Sequence, residues 1–140
     1  MEGYVLGIDN GGSGVKAVLF DLAGREVSGA KRSIEMQTPA PGHTERDMEQ
    51  LWRMNVEAIR EAIAPIDAAR ILGVSFSGHG KGLYLWGKDG APVRPGIVST
   101  DSRAAGIVRD WYADGTAQSV FPLTCQSVLA SQPVALLKWL

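Results

Sequence analysis

The 140-residue sequence predicts an α/β protein with a mixed sheet, three antiparallel strands followed by strand and helix units. Three observations carry this. Two apolar β-forming runs, residues 5–8 and 15–20, flank a glycine-rich turn. Residues 48–63 place apolar side chains at three- and four-residue steps. Residues 71–77 form a short apolar run that leads into a second glycine cluster.

In the first strand Val5, Leu6 and Ile8 precede an acid, Asp9, and the turn that follows holds Gly11, Gly12 and Gly14. The second strand ends at a turn over residues 21–24, and residues 25–34 read as a third, less apolar strand. Residues 38–43 are a loop, because Pro39, Pro41 and Gly42 leave no room for a ladder or helix, and His43 is expected to be exposed there. Asp47 is the predicted N-cap of a helix whose stripe is Met48, Leu51, Trp52, Val56, Ile59 and Ile63, with Pro65 ending it. Trp52 is expected in the core. Residues 71–77 are read as a buried strand delivering residues 78–82, and residues 83–86 and 92–98 as a hairpin around the turn at 87–90. Helices follow over about residues 104–112, 116–121 and 134–140. The last of these stops in mid-pattern, so the chain reads as cut rather than finished.

A chain of this length with 45% hydrophobic residues can bury one core, and one domain is the expectation. With 14 basic against 15 acidic residues, no overall field recruits nucleic acid or anionic lipid. Cys125 is the single cysteine, which excludes an internal disulfide, suits a reducing compartment and reads as a small buried or half-buried hydrophobe. No stretch approaches the length of a membrane span and no basic leader precedes the first strand. A cytoplasmic protein is predicted.

The glycine turn has the composition of a phosphate-binding hairpin. Glycines let backbone N–H groups approach an anion, Asp9 at the strand end can hold a hydrated Mg²⁺, and Lys16 can set a point charge near a phosphate. Two other phosphate motifs fail. Counting from Gly7, a P-loop requires lysine where Ser13 stands. The G-x-G-x-x-A match from Gly12 to Ala17 has to open a helix, whereas Val15, Val18, Leu19 and Phe20 are strand formers. A hairpin whose glycines serve only the turn is the alternative.

The second cluster, Gly78-His79-Gly80-Lys81-Gly82, lets a loop crowd against a small ligand while His79 and Lys81 reach it. A polyol suits such a loop, since each hydroxyl taken from water needs a partner. Asp101 can accept two hydroxyls and Arg103 can pair with it. The alternative is a strained turn, a satisfied polar His79, and Asp101 as a helix cap.

Taken together, residues 7–13 with Lys16, residues 41–47 with Leu51-Trp52, the GHGKGL run and residues 97–104 resemble the FGGY family of carbohydrate kinases. The resemblance spans the whole chain. It is similar to the L-xylulose kinase branch, whose pattern includes the lysine between glycines and Pro122-Leu123-Thr124 with Pro133-Val134. Gly12-Ser13 stands where most members carry threonines.

The resemblance implies an actin-like, RNase H-like ATPase fold, with residues 1–140 as the N-terminal portion of the first lobe. It also implies ATP-dependent phosphorylation of a terminal hydroxyl on a ketopentose or related polyol. Asp9, Asn10, Gly11, Gly12, Ser13 and Lys16 would bind ATP, with Asp9 positioning Mg²⁺; His79, Gly80, Lys81, Gly82, Asp101 and Arg103 would line the sugar site. The catalytic base and the second lobe are expected beyond Leu140, so the isolated chain is expected to be inactive. A non-catalytic sugar- or phosphate-binding module on the same fold is the alternative, and self-association of an incomplete lobe is a further expectation.

Overall fold

The computed structural model describes residues 3–140. The chain divides into two compact units, one of residues up to 35 with 47–79, the other of residues 36–46 with 80–140.

In the first unit, β1 (Tyr4–Asn10), β2 (Gly14–Asp21) and β3 (Glu26–Ser33) are consecutive antiparallel neighbours, as the alternation predicts. Leu6 and Ile8 of β1, Val15, Ala17 and Leu19 of β2, and Ala30 of β3 are buried. Against that face lies α1 (Met48–Ile63), through Ala58 and Ala62, both fully buried. The missing side-chain bulk of two alanines one turn apart lets the helix lie close to the sheet. The Ser28 hydroxyl donates to the Ala62 carbonyl, and Arg32 reaches Glu57 at 3.3 Å and Glu61 at 2.6 Å.

Asp47 caps α1, accepting from the N–H groups of Glu49 at 2.8 Å and Gln50 at 3.0 Å. Asp47→Ala removes both bonds and is expected to lower stability by about 1 kcal/mol. A urea titration with a reduced midpoint and unchanged slope would show it.

After a 3₁₀ turn (Ala68–Arg70), β5 (Ile71–Gly78) runs parallel to β1 and gives the sheet the order β3-β2-β1-β5, so the sheet is mixed. Two readings are corrected here. β5 is a strand but not a buried one: Leu72, Val74 and Phe76 are 69%, 51% and 69% exposed. Val74 and Phe76 share the register of Leu6 and Ile8, whereas α1 packs over β2 and β3 and leaves β5 uncovered. Trp52 is 63% exposed, because the buried positions of α1 are Met48, Asn55, Ala58 and Ala62, a stripe rotated from the one the large apolar residues trace.

In the second unit, β4 (Glu45–Arg46) pairs antiparallel with β6 (Gly96–Ile97), extended by bridges Gln37 to Glu45 and Leu83 to Ile97. The hairpin expected around residues 87–90 is reduced to bridges and single bonds, since Pro92 and Pro95 donate nothing to a ladder. α2 (Ala105–Ala113), α3 (Thr116–Thr124) and α4 (Pro133–Trp139) follow. Leu83, Ile97, Ala104, Ala135 and Leu136 form the core, with Ile107, Val108 and Trp111 packed on it.

His43 is half-buried rather than exposed, edge-on to the Trp139 ring at 5.6 Å. Cys125 is exposed rather than buried, and ends α3 in the left-handed conformation, φ 52°. Among the described residues no helix is long and apolar enough to cross a membrane.

Candidate functional site

The glycine hairpin joins β1 to β2, with Asp9 and Asn10 ending one strand and residues 11–13 in the turn. Gly14 is required by proximity, because a Cβ there would run into the Arg32 carbonyl on β3. Asp9 and Lys16 are directly opposed across the ladder. Both are exposed, and they alternate with buried Ile8, Val15 and Ala17, so they project from the sheet face opposite α1. A shallow depression of about 220 Å³ lies there, lined by Gly7, Asp9, Lys16, Phe20, Ser75 and Ser77 among others.

At Gly12 an added Cβ would lie 2.9 Å from Nε2 of His79. The imidazole that follows β5 therefore packs against the hairpin. On the helix side, the Asn55 side chain of α1 donates to the Asn10 carboxamide oxygen at 2.8 Å.

This arrangement fits a nucleotide phosphate with its cation. Gly11 and Gly12 carry no side chains, and a carboxylate and an ammonium are paired across the ladder beside them. No group of three or more metal-ligating residues occurs among the described residues. A cation there would be held by Asp9 together with water and phosphate oxygens, which is how Mg²⁺ is commonly bound.

In the second unit, Gly80 and Lys81 form one wall of a cavity of about 780 Å³, with Thr124, Ser127, Gln132 and Val134 among the residues lining the rest. Gly82 stands behind that wall at φ 95°, its N–H donating to the Ser131 carbonyl at 2.8 Å. A Cβ at Gly82 would meet the Ile97 carbonyl.

Asp101 and Arg103 do not line the cavity. Their side chains are 0% and 1% exposed. One Asp101 oxygen accepts from the Arg103 N–H at 2.9 Å; the other accepts from the Thr44 N–H at 2.7 Å and an Arg103 terminal nitrogen at 2.8 Å. That same nitrogen lies 2.8 Å from Glu45, which Arg94 approaches at 2.6 Å, and the guanidinium lies over the Trp139 ring at 5.1 Å. Burial would raise the Asp101 pKa, but the bonds from Arg103 and Thr44 outweigh it and hold the carboxyl below the usual carboxylate range. Arg103 pairs with Asp101, as read from the sequence, and in this structure both side chains are engaged with Thr44 and Glu45.

The sites predicted from sequence thus separate. Asp9, Asn10, the turn glycines, Ser13 and Lys16 come together with His79 at the hairpin. Gly80 and Lys81 face the cavity, and Gly82, Asp101 and Arg103 are not among the residues lining it. Sequence reading missed Asn55, although an asparagine on the buried stripe of an amphipathic helix is itself a signal. It also missed Thr124, Ser127 and Gln132, whose positions carry no local pattern.

A glycine hairpin between antiparallel strands and a parallel β5 beside β1 place the chain in the actin-like ATPase fold, as part of an N-terminal lobe. Residues 4–140 match the FGGY family of carbohydrate kinases, N-terminal domain, and the chain belongs to that family.

The L-xylulose/3-keto-L-gulonate kinase of Escherichia coli K12 is 40% identical over 142 residues, covering 100% of this chain and 28% of that protein. A probable L-xylulose kinase of Pasteurella multocida is 35% identical, covering 98% and 29%. The crystal structure of gluconate kinase from Lactobacillus acidophilus superposes with a TM-score of 0.92 at 26% identity, covering 99% of this chain and 28% of that one. The chain thus spans less than a third of the length of the relatives it matches.

Proposed function

We propose that this chain is the N-terminal portion of an ATP-dependent kinase that phosphorylates a terminal hydroxyl of a ketopentose or related polyol, L-xylulose-like in character. The observation that carries this is the opposed pair of Asp9 and Lys16 beside a bare glycine turn. Phosphoryl transfer asks the protein chiefly for positioning and charge neutralisation, and these residues supply both. The backbone of residues 11–13 and Lys16 would contact the phosphates, and Asp9 would hold Mg²⁺. Mg²⁺, when bound, neutralises charge on the phosphate oxygens.

Lys81 presents its ammonium to the polyol at the wall of the second-unit cavity, and Thr124, Ser127 and Gln132 offer hydroxyl and amide partners. Gly82, bonded to Ser131, adjoins that wall. A cytoplasmic setting agrees with one unpaired, exposed cysteine. The similarity to proteins named L-xylulose kinases supports a ketopentose acceptor.

Thermal denaturation in the presence of L-xylulose, other ketopentoses and tetritols tests the acceptor. A ligand at about 100 times its Kd adds roughly 2.7 kcal/mol of apparent stability. A rise in Tm with L-xylulose is expected, and its loss in Lys81→Ala, with the unliganded Tm unchanged because Lys81 is exposed. Absence of a rise with every polyol would refute the sugar site.

A further inference from the structure

The hairpin's side chains are oriented from outside it, and the bond between Asn10 and Asn55 shows how. Asn55 is 7% exposed, on the face of α1 that meets the sheet. Its Nδ2 lies 2.9 Å from the Leu51 carbonyl oxygen and 2.8 Å from Oδ1 of Asn10. A backbone carbonyl can only accept, so the end of the Asn55 carboxamide that faces Leu51 is its NH₂. The same nitrogen faces Asn10, and an NH₂ can only donate to it. The atom Asn10 turns toward α1 must therefore be its oxygen. This assignment follows from donor and acceptor chemistry alone, although the two ends of an asparagine look alike.

The consequence falls on the other end of Asn10. With its oxygen engaged by Asn55, its NH₂ is the end of the carboxamide that the bond to α1 leaves unengaged. We propose that Asn55 is a positioning residue of the hairpin. It fixes the Asn10 carboxamide so that a donor, not an acceptor, is offered to the phosphate the hairpin receives. This rests on the phosphate reading above. An unrestrained carboxamide could present its oxygen to the anion, which would repel it. A buried asparagine on an otherwise apolar stripe is thereby explained by what it holds.

Two readouts on ¹⁵N-labelled chain test this. The first is the side-chain amide pair of Asn10, expected to be ordered in the wild type and to become mobile on the nanosecond scale in Asn55→Ala. In Asn55→Asp the carboxylate draws the NH₂ of Asn10 inward, and its amide protons are expected to shift downfield and exchange slowly. The second readout is Mg·ATP binding, followed at the backbone amides of residues 11–13.

Asn10→Ala is expected to weaken binding about tenfold, the loss of one donor to a charged group. Asn55→Ala should match it, and the double variant should lose no more than either. Each variant is compared where its amide spectrum outside the hairpin matches the wild type.

Unchanged order of the Asn10 side chain in Asn55→Ala would overturn the role of Asn55, as would additive losses in the double variant. A wild-type hairpin that does not respond to Mg·ATP would instead overturn the phosphate reading, and with it the ligand assigned to Asn10.

Discussion

Asp101→Asn is expected to destabilise the protein by about 3 kcal/mol at pH 7, the low end of the cost of removing one partner from a buried ion pair. The substitution keeps the side chain's shape and size, so packing is not what changes. Asn can still accept from the Thr44 N–H and an Arg103 terminal nitrogen on one oxygen, but its NH₂ end then faces the Arg103 backbone N–H and Nε, donor against donor. Arg103, whose side chain is 1% exposed, keeps a negatively charged partner only in Glu45 at 2.8 Å, and Glu45 already serves Arg94. Two carboxylates balanced by two guanidinium groups become one against two. The remaining bond to Glu45 is why the low end of the range applies.

The same charge gives a control that a packing defect would not. The bonds from Arg103 and Thr44 hold the Asp101 carboxyl below its unfolded value, about 3.9. A group depressed in this way contributes stability that is complete above that value and lost as pH falls through the folded one. The wild type and Asp101→Asn should therefore differ most near neutrality and converge below about pH 4. Urea titrations of both proteins at pH 7 and pH 3 would show it. Equal midpoints at pH 7, or a constant difference at both values, would remove the ion network from the account of the second unit.

What could be read from the residues alone was whatever local chemistry decides. The β1 to β2 hairpin was legible because alternation, three glycines and flanking charges lie within a dozen or so positions. The start of α1 was legible because Asp47 caps its own neighbours. Trp52 was misread because periodicity marks an apolar sector without saying which part of it the sheet covers. Close approach selected Ala58 and Ala62, and the larger side chains were displaced to the margin. β5 was misread for a related reason: an apolar run shows that a strand can be buried, while burial depends on what packs against it.

At the site, the acid, lysine and glycines of the hairpin could be named because that motif is contiguous. Residue type offered Asp101 as an acceptor with Arg103 as its partner, and the resemblance put both in the sugar site. Their partners Thr44 and Glu45 are more than fifty residues away in sequence, and no spacing rule reports a carboxylate already fully bonded.

Gly82→Ala is expected to cost about 2–6 kcal/mol, from two separable sources. At φ 95° an L-residue is strained, and the new Cβ would meet the backbone of Ile97 and Val98. That backbone cannot step aside. Ile97 exchanges hydrogen bonds with Leu83 at 2.8 and 2.9 Å, and β6 is paired with β4. The chain at residue 82 must move instead, pulling on its bond to Ser131 and displacing Lys81 from the cavity wall.

Other glycines separate the two sources. Gly90, at φ 79° with nothing within 4 Å of a Cβ, is strained without being crowded, so an asparagine, which tolerates positive φ, should be nearly neutral there. Gly82→Asn relieves only the backbone term and should remain destabilised by the clash. Gly80→Ala, where a Cβ meets nothing within 4 Å and φ is not positive, should change stability by no more than about 0.5 kcal/mol. Chemical denaturation of the four variants gives the ranking directly. If Gly82→Asn restores wild-type stability, the close approach of Ile97 is not what requires glycine beside Lys81. If it does not, the glycine is there because two stretches of backbone meet at the cavity wall, and the polyol response should be lost in both Gly82 variants.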